Sequence, residues 1–127
     1  MSSLAEGADR IVAERVLARP QARLTVVLPL ATDDYERDFA TTASVAEFRS
    51  LLARADSVAT VDLRPNATRE EAYEQAGLEV VARCDVLIAV WDGSAPRGRG
   101  GTAEIVEHAR HAGRRIEVLE VDRDVAP

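Results

Sequence analysis

The segment from Val86 to Glu104 limits the fold of this chain more than any other. Six consecutive apolar residues, Val86–Trp91, predict a strand that is buried on both faces. A loop rich in glycine and arginine follows, after which Thr102 is placed to cap a helix. A helix start presents unpaired N–H groups and a partial positive charge, and glycine lets the backbone approach a ligand closely. This order of strand, loop and helix predicts a binding site for a phosphate group.

Strand and helix patterns alternate along the rest of the chain. The remaining strand patterns are Leu24–Leu28, Val58–Leu63 and Ile116–Val121, and the helical patterns are Leu4 to about Ala18, Ser44–Ala55, Thr68 to about Arg83 and Thr102–Ala112. Alternation with short connections is typical of a parallel sheet covered by helices. The 127 residues therefore predict a single α/β domain, a three-layer Rossmann-like domain with a mostly parallel sheet.

Local signals mark where two of the helices begin and how the first one is oriented. Ser44–Glu47 and Thr68–Glu71 are both capping-box sequences, which predicts Ser44 and Thr68 as N-caps. In the first helical pattern, Arg10 stands four residues from both Glu6 and Glu14. This spacing predicts that Arg10 lies on the solvent-facing side and pairs with those carboxylates.

The amino-terminal end departs from the usual doubly wound order. Only Met1, Ser2 and Ser3 precede the first helical pattern, whereas such a domain usually begins with a strand. In the common strand order, the absent first strand would lie between Leu24–Leu28 and Val86–Trp91. Those two strands could pair directly, a partner could supply the strand, or sequence upstream of Met1 could carry it. We favour direct pairing or upstream sequence over donation by a partner.

The composition of the chain argues against several classes of function. A net charge of −6 argues against an extended surface that binds nucleic acid. No apolar run approaches membrane-spanning length and no signal peptide is recognisable, so we expect a cytoplasmic protein without a membrane partner. The single Cys84 cannot form an internal disulfide and reads as a small apolar residue on a helix face. His108 and His111 lack companions at metal-ligand spacing, so no metal site is predicted.

Two motifs resemble a known superfamily. Ser2–Asp9 follows a Ser-Gly-Leu-Ala-x-Gly-x-Asp pattern, with Ser3 in place of the usual glycine, and Gly100–Thr102 forms a Gly-Gly-Thr step. Together they resemble the Rossmann-like SLOG superfamily, which includes DNA-processing protein A, the Lonely Guy hydrolases and nucleotide sensors attached to bacterial defence effectors. The likeness is greatest to an uncharacterised bacterial branch. It covers nearly the whole chain and implies a nucleotide or another phosphorylated small molecule as ligand, with no cofactor.

The motifs and the resemblance together predict the ligand-binding residues. The phosphate is expected at two helix starts, aided by two loop arginines, and the sugar at two aspartates. The predicted set is Gly7, Asp9, Asp92, Gly93, Arg97, Gly98, Arg99, Gly100, Gly101 and Thr102.

Each of these residues also has an ordinary structural interpretation. Gly7 could serve helix-on-sheet packing, and Asp9 could bond local N–H groups instead of a ribose hydroxyl. Asp92 and Gly93 could simply form a turn, and the glycine loop with its arginines could be a solvated surface loop. Tyr35, in the predicted loop Ala31–Thr42, could stack on a base or cover the core.

Three functions follow from the resemblance. The first is a non-catalytic domain that senses a nucleotide or nucleotide-derived ligand, with a second copy or an effector domain as candidate protein partner. The second is a nucleotide N-glycosidase, in which Glu104 would be the acid/base group. In the hydrolase branch the working glutamate falls three residues after the threonine, where this chain has Ile105, and this departure counts against hydrolysis. The third is DNA binding, against which the acidic charge and the few aromatic residues count.

Overall fold

Five helices and four strands alternate in the part of the chain that the computed structural model describes, residues 1–91 and 101–120. In chain order they are α1 (Ala8–Leu17), β1 (Thr25–Leu28), α2 (Thr32–Glu36), α3 (Thr42–Ala53), β2 (Ser57–Thr60), α4 (Arg69–Arg83), β3 (Val86–Trp91), α5 (Thr102–His111) and β4 (Arg115–Glu120). The predicted α/β class is confirmed. Among these residues, no helix is long and apolar enough to cross a bilayer.

The strands form two separate parallel pairs. β1 pairs with β2, with Val26 opposite Val58, and β3 pairs with β4, with Ala89 opposite Val118. We call these pairs the first sheet and the second sheet. The expected direct pairing of β1 with β3 is wrong: within the described residues, β1 pairs with β2 and β3 pairs with β4, and the two pairs are not joined.

Instead, the amino-terminal residues lie beside β1. The Ser2 N–H donates to the Thr25 carbonyl at 2.9 Å, and the Val27 N–H donates to the Ser2 carbonyl at 3.0 Å. These two bonds form an isolated parallel bridge between Ser2 and Val26. Thus a single residue stands where a further strand would pair with β1.

The core is unevenly distributed between the two sheets. Around the first sheet, large side chains are fully buried, among them Leu4, Val26, Phe48 and Leu51. Around the second sheet, the buried cluster is smaller and consists of Val81, Leu87 and Ala109.

The expectation that β3 is buried on both faces is wrong. Leu87 and Ala89 are buried against the helices, but Val86 and Ile88, on the opposite face, are 41% and 49% exposed. The apolar run correctly located the strand. It could not show whether another element covers its second face, because that depends on the neighbouring strands and helices.

The helix boundaries correct several details. The first helix begins at Ala8 rather than Leu4, and α2 forms inside the predicted loop Ala31–Thr42. Thr41, not Ser44, caps α3, its hydroxyl accepting from the Ser44 N–H at 3.0 Å. The Thr68 cap on α4 is confirmed, with the Glu71 N–H at 3.1 Å.

Candidate functional site

A cavity of about 420 Å³ lies between the two sheets. Its lining includes Ala8 and Asp9 at the start of α1, Thr102 at the start of α5, and Val90 near the end of β3. The starts of α1 and α5 are the two helix starts at which the sequence analysis expected a phosphate. Cavities of about 300–1,000 Å³ are typical of small-molecule sites. Residues from both helix starts therefore line one cavity, although Gly7 and Gly101 themselves are not among its lining residues.

The N-cap of α1 is Gly7, which has no side chain to bond the first N–H groups of the helix. This N-cap residue has φ of 90° and ψ of −122°, a backbone conformation that L side chains rarely adopt. No atom lies within 4 Å of where a Cβ would stand, so helix-on-sheet packing is not the reason for glycine here. Glycine has no side chain with which to cap the helix, and no side-chain cap is present at this end. The first N–H groups of α1 are thus available to a ligand.

Asp9 is tied to the turn that precedes its helix. Its carboxylate accepts a hydrogen bond from the Ala5 N–H at 3.2 Å, so the local N–H interaction anticipated for it is present. Burial raises the pKa of the Asp9 carboxyl, while the Ala5 and Ser2 hydrogen bonds and the nearby Arg10 charge act in the opposite direction. Its position in the cavity lining leaves it able to accept a hydroxyl hydrogen bond as well.

The turn before α1 contains a strained residue. Leu4 is completely buried, yet it has φ of 53°, in the left-handed region that β-carbon contacts disfavour. Its N–H donates to the Ser2 hydroxyl at 3.0 Å, and its carbonyl accepts from Arg10 Nε at 3.0 Å. These bonds on both sides of the residue hold the turn in place.

Arg10 is a structural residue that the sequence analysis misplaced. It is only 3% exposed rather than on the solvent-facing side. Its Nη1 donates to the Ser44 carbonyl at 2.9 Å and to the Ser44 hydroxyl at 2.8 Å, and its guanidinium carbon lies 4.4 Å from the centre of the Phe39 ring. Arg10 thereby joins the turn at Leu4 to the start of α3.

The carboxylates expected to pair with Arg10 have other partners. Glu6 accepts from the Ser44 hydroxyl and from the Ala40 N–H, and these bonds lower the pKa of its carboxyl. Glu14 pairs with Arg54 at 3.0 Å. Helical spacing could not reveal this, because the partners come from α3 and the loop before it.

At the start of α5, the cap prediction was off by one residue. Gly101 is the N-cap and Thr102 is the first helical residue, so Thr102 does not cap the helix with its hydroxyl. Gly101 has φ of −74°, which requires no glycine, and it provides no side-chain cap. Both residues are exposed. As at Gly7, the helix start is left without a side-chain cap.

Glu104 does not line the cavity. It lies along α5 with Oε1 3.7 Å from His108 Nε2, and the residue that lines the cavity from this turn is Ile105. Successive residues of a helix point about 100° apart, which explains why the two neighbours face different ways.

Tyr35 belongs to the core. It is 1% exposed, its hydroxyl donates to the Ser3 carbonyl at 3.0 Å, and its ring packs against those of Phe39 and Phe48. Burial raises the pKa of its hydroxyl above the usual value. Covering the core is therefore its observed role.

The remaining predicted site residues lie outside the described residues. They are Asp92, Gly93, Arg97, Gly98, Arg99 and Gly100. Within the described ranges, no three His, Cys, Asp or Glu side chains come together as a metal site. Cys84 packs against the core of the second sheet, as expected of a small apolar residue.

The described part of the cavity suits a neutral or partly polar ligand with an anionic end. Its walls are mainly apolar, and its polar groups at the carboxyl ends of the strands are Asp9, Thr102 and the two open helix starts. A helix start favours an anion, and a carboxylate favours a hydroxyl. No protein-family model matches the chain, and no curated protein is significantly similar to it in sequence.

Proposed function

We propose that this chain is a three-layer Rossmann-like domain of the SLOG type that binds a nucleotide or a nucleotide-derived ligand without transforming it. The observation that carries the proposal is the shared cavity. The starts of α1 and α5, which the two motifs assign to phosphate, border the same space of about 420 Å³. Two helix starts directed at one ligand provide several backbone N–H donors and two partial positive charges.

In this arrangement the ligand lies at the carboxyl ends of β1 and β3. The phosphate approaches Gly7 and Gly101, where no side-chain cap competes for the N–H groups. Asp9 accepts from a sugar hydroxyl, and the Thr102 hydroxyl donates to the phosphate. The base occupies the apolar part of the cavity.

A thermal-shift titration with AMP, ADP and adenosine tests the proposal. A ligand that binds only the folded state stabilises it by about 2.7 kcal/mol at a concentration of 100 Kd. We expect the two nucleotides to raise Tm and adenosine to raise it less, because adenosine lacks the phosphate.

The matched variants are Gly101→Val, Thr102→Val and Thr60→Val. Gly101→Val places a side chain where the phosphate approaches, and its backbone conformation tolerates valine. Thr60→Val makes the same chemical change as Thr102→Val on an exposed residue of β2. If no nucleotide raises Tm, or if Gly101→Val and Thr102→Val respond to nucleotides as Thr60→Val does, the proposal is wrong.

The hydrolase alternative is less well supported. Glu104 faces His108 and is absent from the cavity lining among the described residues. Incubation with nucleoside monophosphates and chromatography for free base distinguishes the two functions. Base release that disappears in Glu104→Gln would replace the binding proposal with catalysis.

A further inference from the structure

Tyr73 is an aromatic residue in the cavity wall that is not fully enclosed by the core. Two tyrosines, Tyr35 and Tyr73, line the cavity. Tyr35 is 1% exposed, because its ring packs against those of Phe39 and Phe48. Tyr73 is half-buried, and its ring centre lies 5.9 Å from that of Tyr35. The Tyr73 ring therefore stands between the core of the first sheet and the cavity.

The hydroxyl of Tyr73 is held by an ionic network between α2 and α4. It donates to the Asp38 carboxylate, and Arg69 Nη2 lies 2.8 Å from the same carboxylate oxygen. Arg69 Nη1 donates to Asp34 Oδ1 at 2.7 Å. Burial, followed by the Asp38 hydrogen bond, raises the pKa of the Tyr73 hydroxyl, so it stays protonated at neutral pH. With its hydroxyl already bonded, Tyr73 has its ring to offer to a ligand.

Short side chains follow Tyr73 on the same face of α4. Ala76 and Gly77, three and four residues further on, also line the cavity. A Cβ at Gly77 would stand only 2.4 Å from Ile105 Cδ1, so glycine is what lets Ile105 of α5 come this close. A planar group beside the Tyr73 ring would thus meet little side chain from α4 and an apolar side chain from α5.

Tyr73 is also close to the residue that we assign to the sugar. Burial raises the pKa of the Tyr35 hydroxyl, and Tyr73 and Asp9 each raise it further, which places both of them near that hydroxyl. Pro29, directly after β1, lines the same part of the cavity. In a nucleotide the base is joined to the sugar, so a base whose sugar bonds to Asp9 lies within reach of the Tyr73 ring.

We propose that Tyr73 stacks on the base of the bound nucleotide and thereby selects a nucleotide over a sugar phosphate. The inference rests on the proposed function, because Asp9 and the two helix starts hold the sugar and the phosphate of the same ligand. Every nucleobase has a π face, so stacking recognises the presence of a base rather than its identity. Asp38 and Arg69 are positioning residues, since they act on the ligand only through the Tyr73 hydroxyl.

Calorimetric titration of the full chain with AMP and ribose 5-phosphate tests the inference. The two ligands share the sugar and the phosphate, and only AMP has a base. We expect AMP to bind the unmodified protein more tightly. Tyr73→Leu should weaken AMP binding by about 5- to 150-fold, the range that base–aromatic stacking gives, and leave ribose 5-phosphate binding unchanged. Tyr73→Phe, the matched control, retains the ring and should keep most of the preference for AMP.

Proton NMR of the tyrosine rings provides a measurement that does not depend on the leucine variant. The chain has two tyrosines, so the spectrum of Tyr73→Phe assigns both rings. The ring current of a stacked base should move the Tyr73 ring resonances upfield when AMP is added, whereas ribose 5-phosphate should not. Tyr35, enclosed by the core, should respond less.

The outcomes separate this inference from the proposed function. If ribose 5-phosphate binds as tightly as AMP, if Tyr73→Leu weakens both ligands equally, or if AMP leaves the Tyr73 resonances in place, the stacking inference is wrong while phosphate binding stands. If neither ligand binds, both proposals are wrong.

Discussion

The first and second sheets are built from the same kinds of element, yet they are packed to different extents. The first sheet surrounds itself with large, fully buried side chains, including Tyr35, Phe48 and Leu51. The second sheet contains the more continuous apolar run but leaves Ile88 and Leu119 about half exposed. The comparison teaches that apolar sequence locates a strand, whereas burial depends on what lies beside it.

The largest expected difference between the sheets is in the cost of deleting a leucine side chain. Leu51→Ala should lower the free energy of unfolding by about 2–5 kcal/mol, because it empties space in a closed core. Leu119→Ala, the same change at an exposed residue of β4, should change it by less than about 0.5 kcal/mol. Urea denaturation measures both values. Equal costs would mean that Leu119 is covered in solution.

The buried arginine gives the next largest effect. Arg10→Met should destabilise the protein by about 3 kcal/mol, because the Leu4 and Ser44 carbonyls lose charged hydrogen-bond donors. Arg54→Met is the control, since Arg54 makes an exposed ion pair with Glu14 and such pairs contribute about 0–1 kcal/mol. A small effect of Arg10→Met in the same denaturation experiment would show that the hydrogen bonds of Arg10 contribute little to the free energy of unfolding.

The starts of α3 and α5 should differ by a smaller free energy, because only α3 has a side-chain cap. Thr41→Ala should cost about 1 kcal/mol, because the Thr41 hydroxyl accepts from the Ser44 N–H. Thr102→Ala should leave stability unchanged or raise it by a few tenths of a kcal/mol, since Thr102 caps nothing and alanine favours a helix more than threonine does. Comparable losses in Tm would restore Thr102 as a cap.

The smallest effect is the pH dependence caused by Asp9. Burial raises the pKa of this carboxyl in the folded state, so the folded protein binds its proton more tightly than the unfolded chain does. The contribution of Asp9 to stability is therefore greatest at low pH and declines as pH rises from the unfolded pKa through the folded pKa. Glu6 and Asp38 have lowered pKa values, so their contributions instead decline as pH falls.

Asp9→Asn isolates the Asp9 contribution, because asparagine can still accept from the Ala5 N–H. Relative to this variant, the unmodified protein should lose stability as pH rises above about 4, the ordinary pKa of an aspartate. Denaturation at a series of pH values measures the difference. A difference that does not vary with pH would show that Asp9 has the same pKa in the folded and unfolded states.

Local signals predicted most of the elements, since they depend on neighbouring residues. The predicted span of β3 and the predicted Thr68 cap of α4 were both correct. The cap of α3 was misplaced because Thr41 and Ser44 are both good caps, and only the observed turn decides between them.

Features that depend on distant residues could not be read from the sequence. Arg10 has the spacing of a surface arginine, but Ser44 and Phe39 enclose it. The left-handed backbone of Leu4 is imposed by bonds to Ser2 and Arg10, whereas leucine alone would favour a helix. For the candidate site, the sequence identified Asp9 and Thr102, which both line the cavity, whereas Gly7 is not among the lining residues and the gap between the sheets was not predicted.

The backbone conformation of Gly7 means that the chirality of a residue placed at the N-cap of α1 decides whether it fits there without strain. Inverting its angles of 90° and −122° gives −90° and 122°, which is ordinary extended backbone for a natural amino acid. A D-alanine introduced there by chemical synthesis should therefore find the backbone relaxed, whereas L-alanine should not. At this point in the chain, glycine serves as the only genetically encoded substitute for a mirror-image residue.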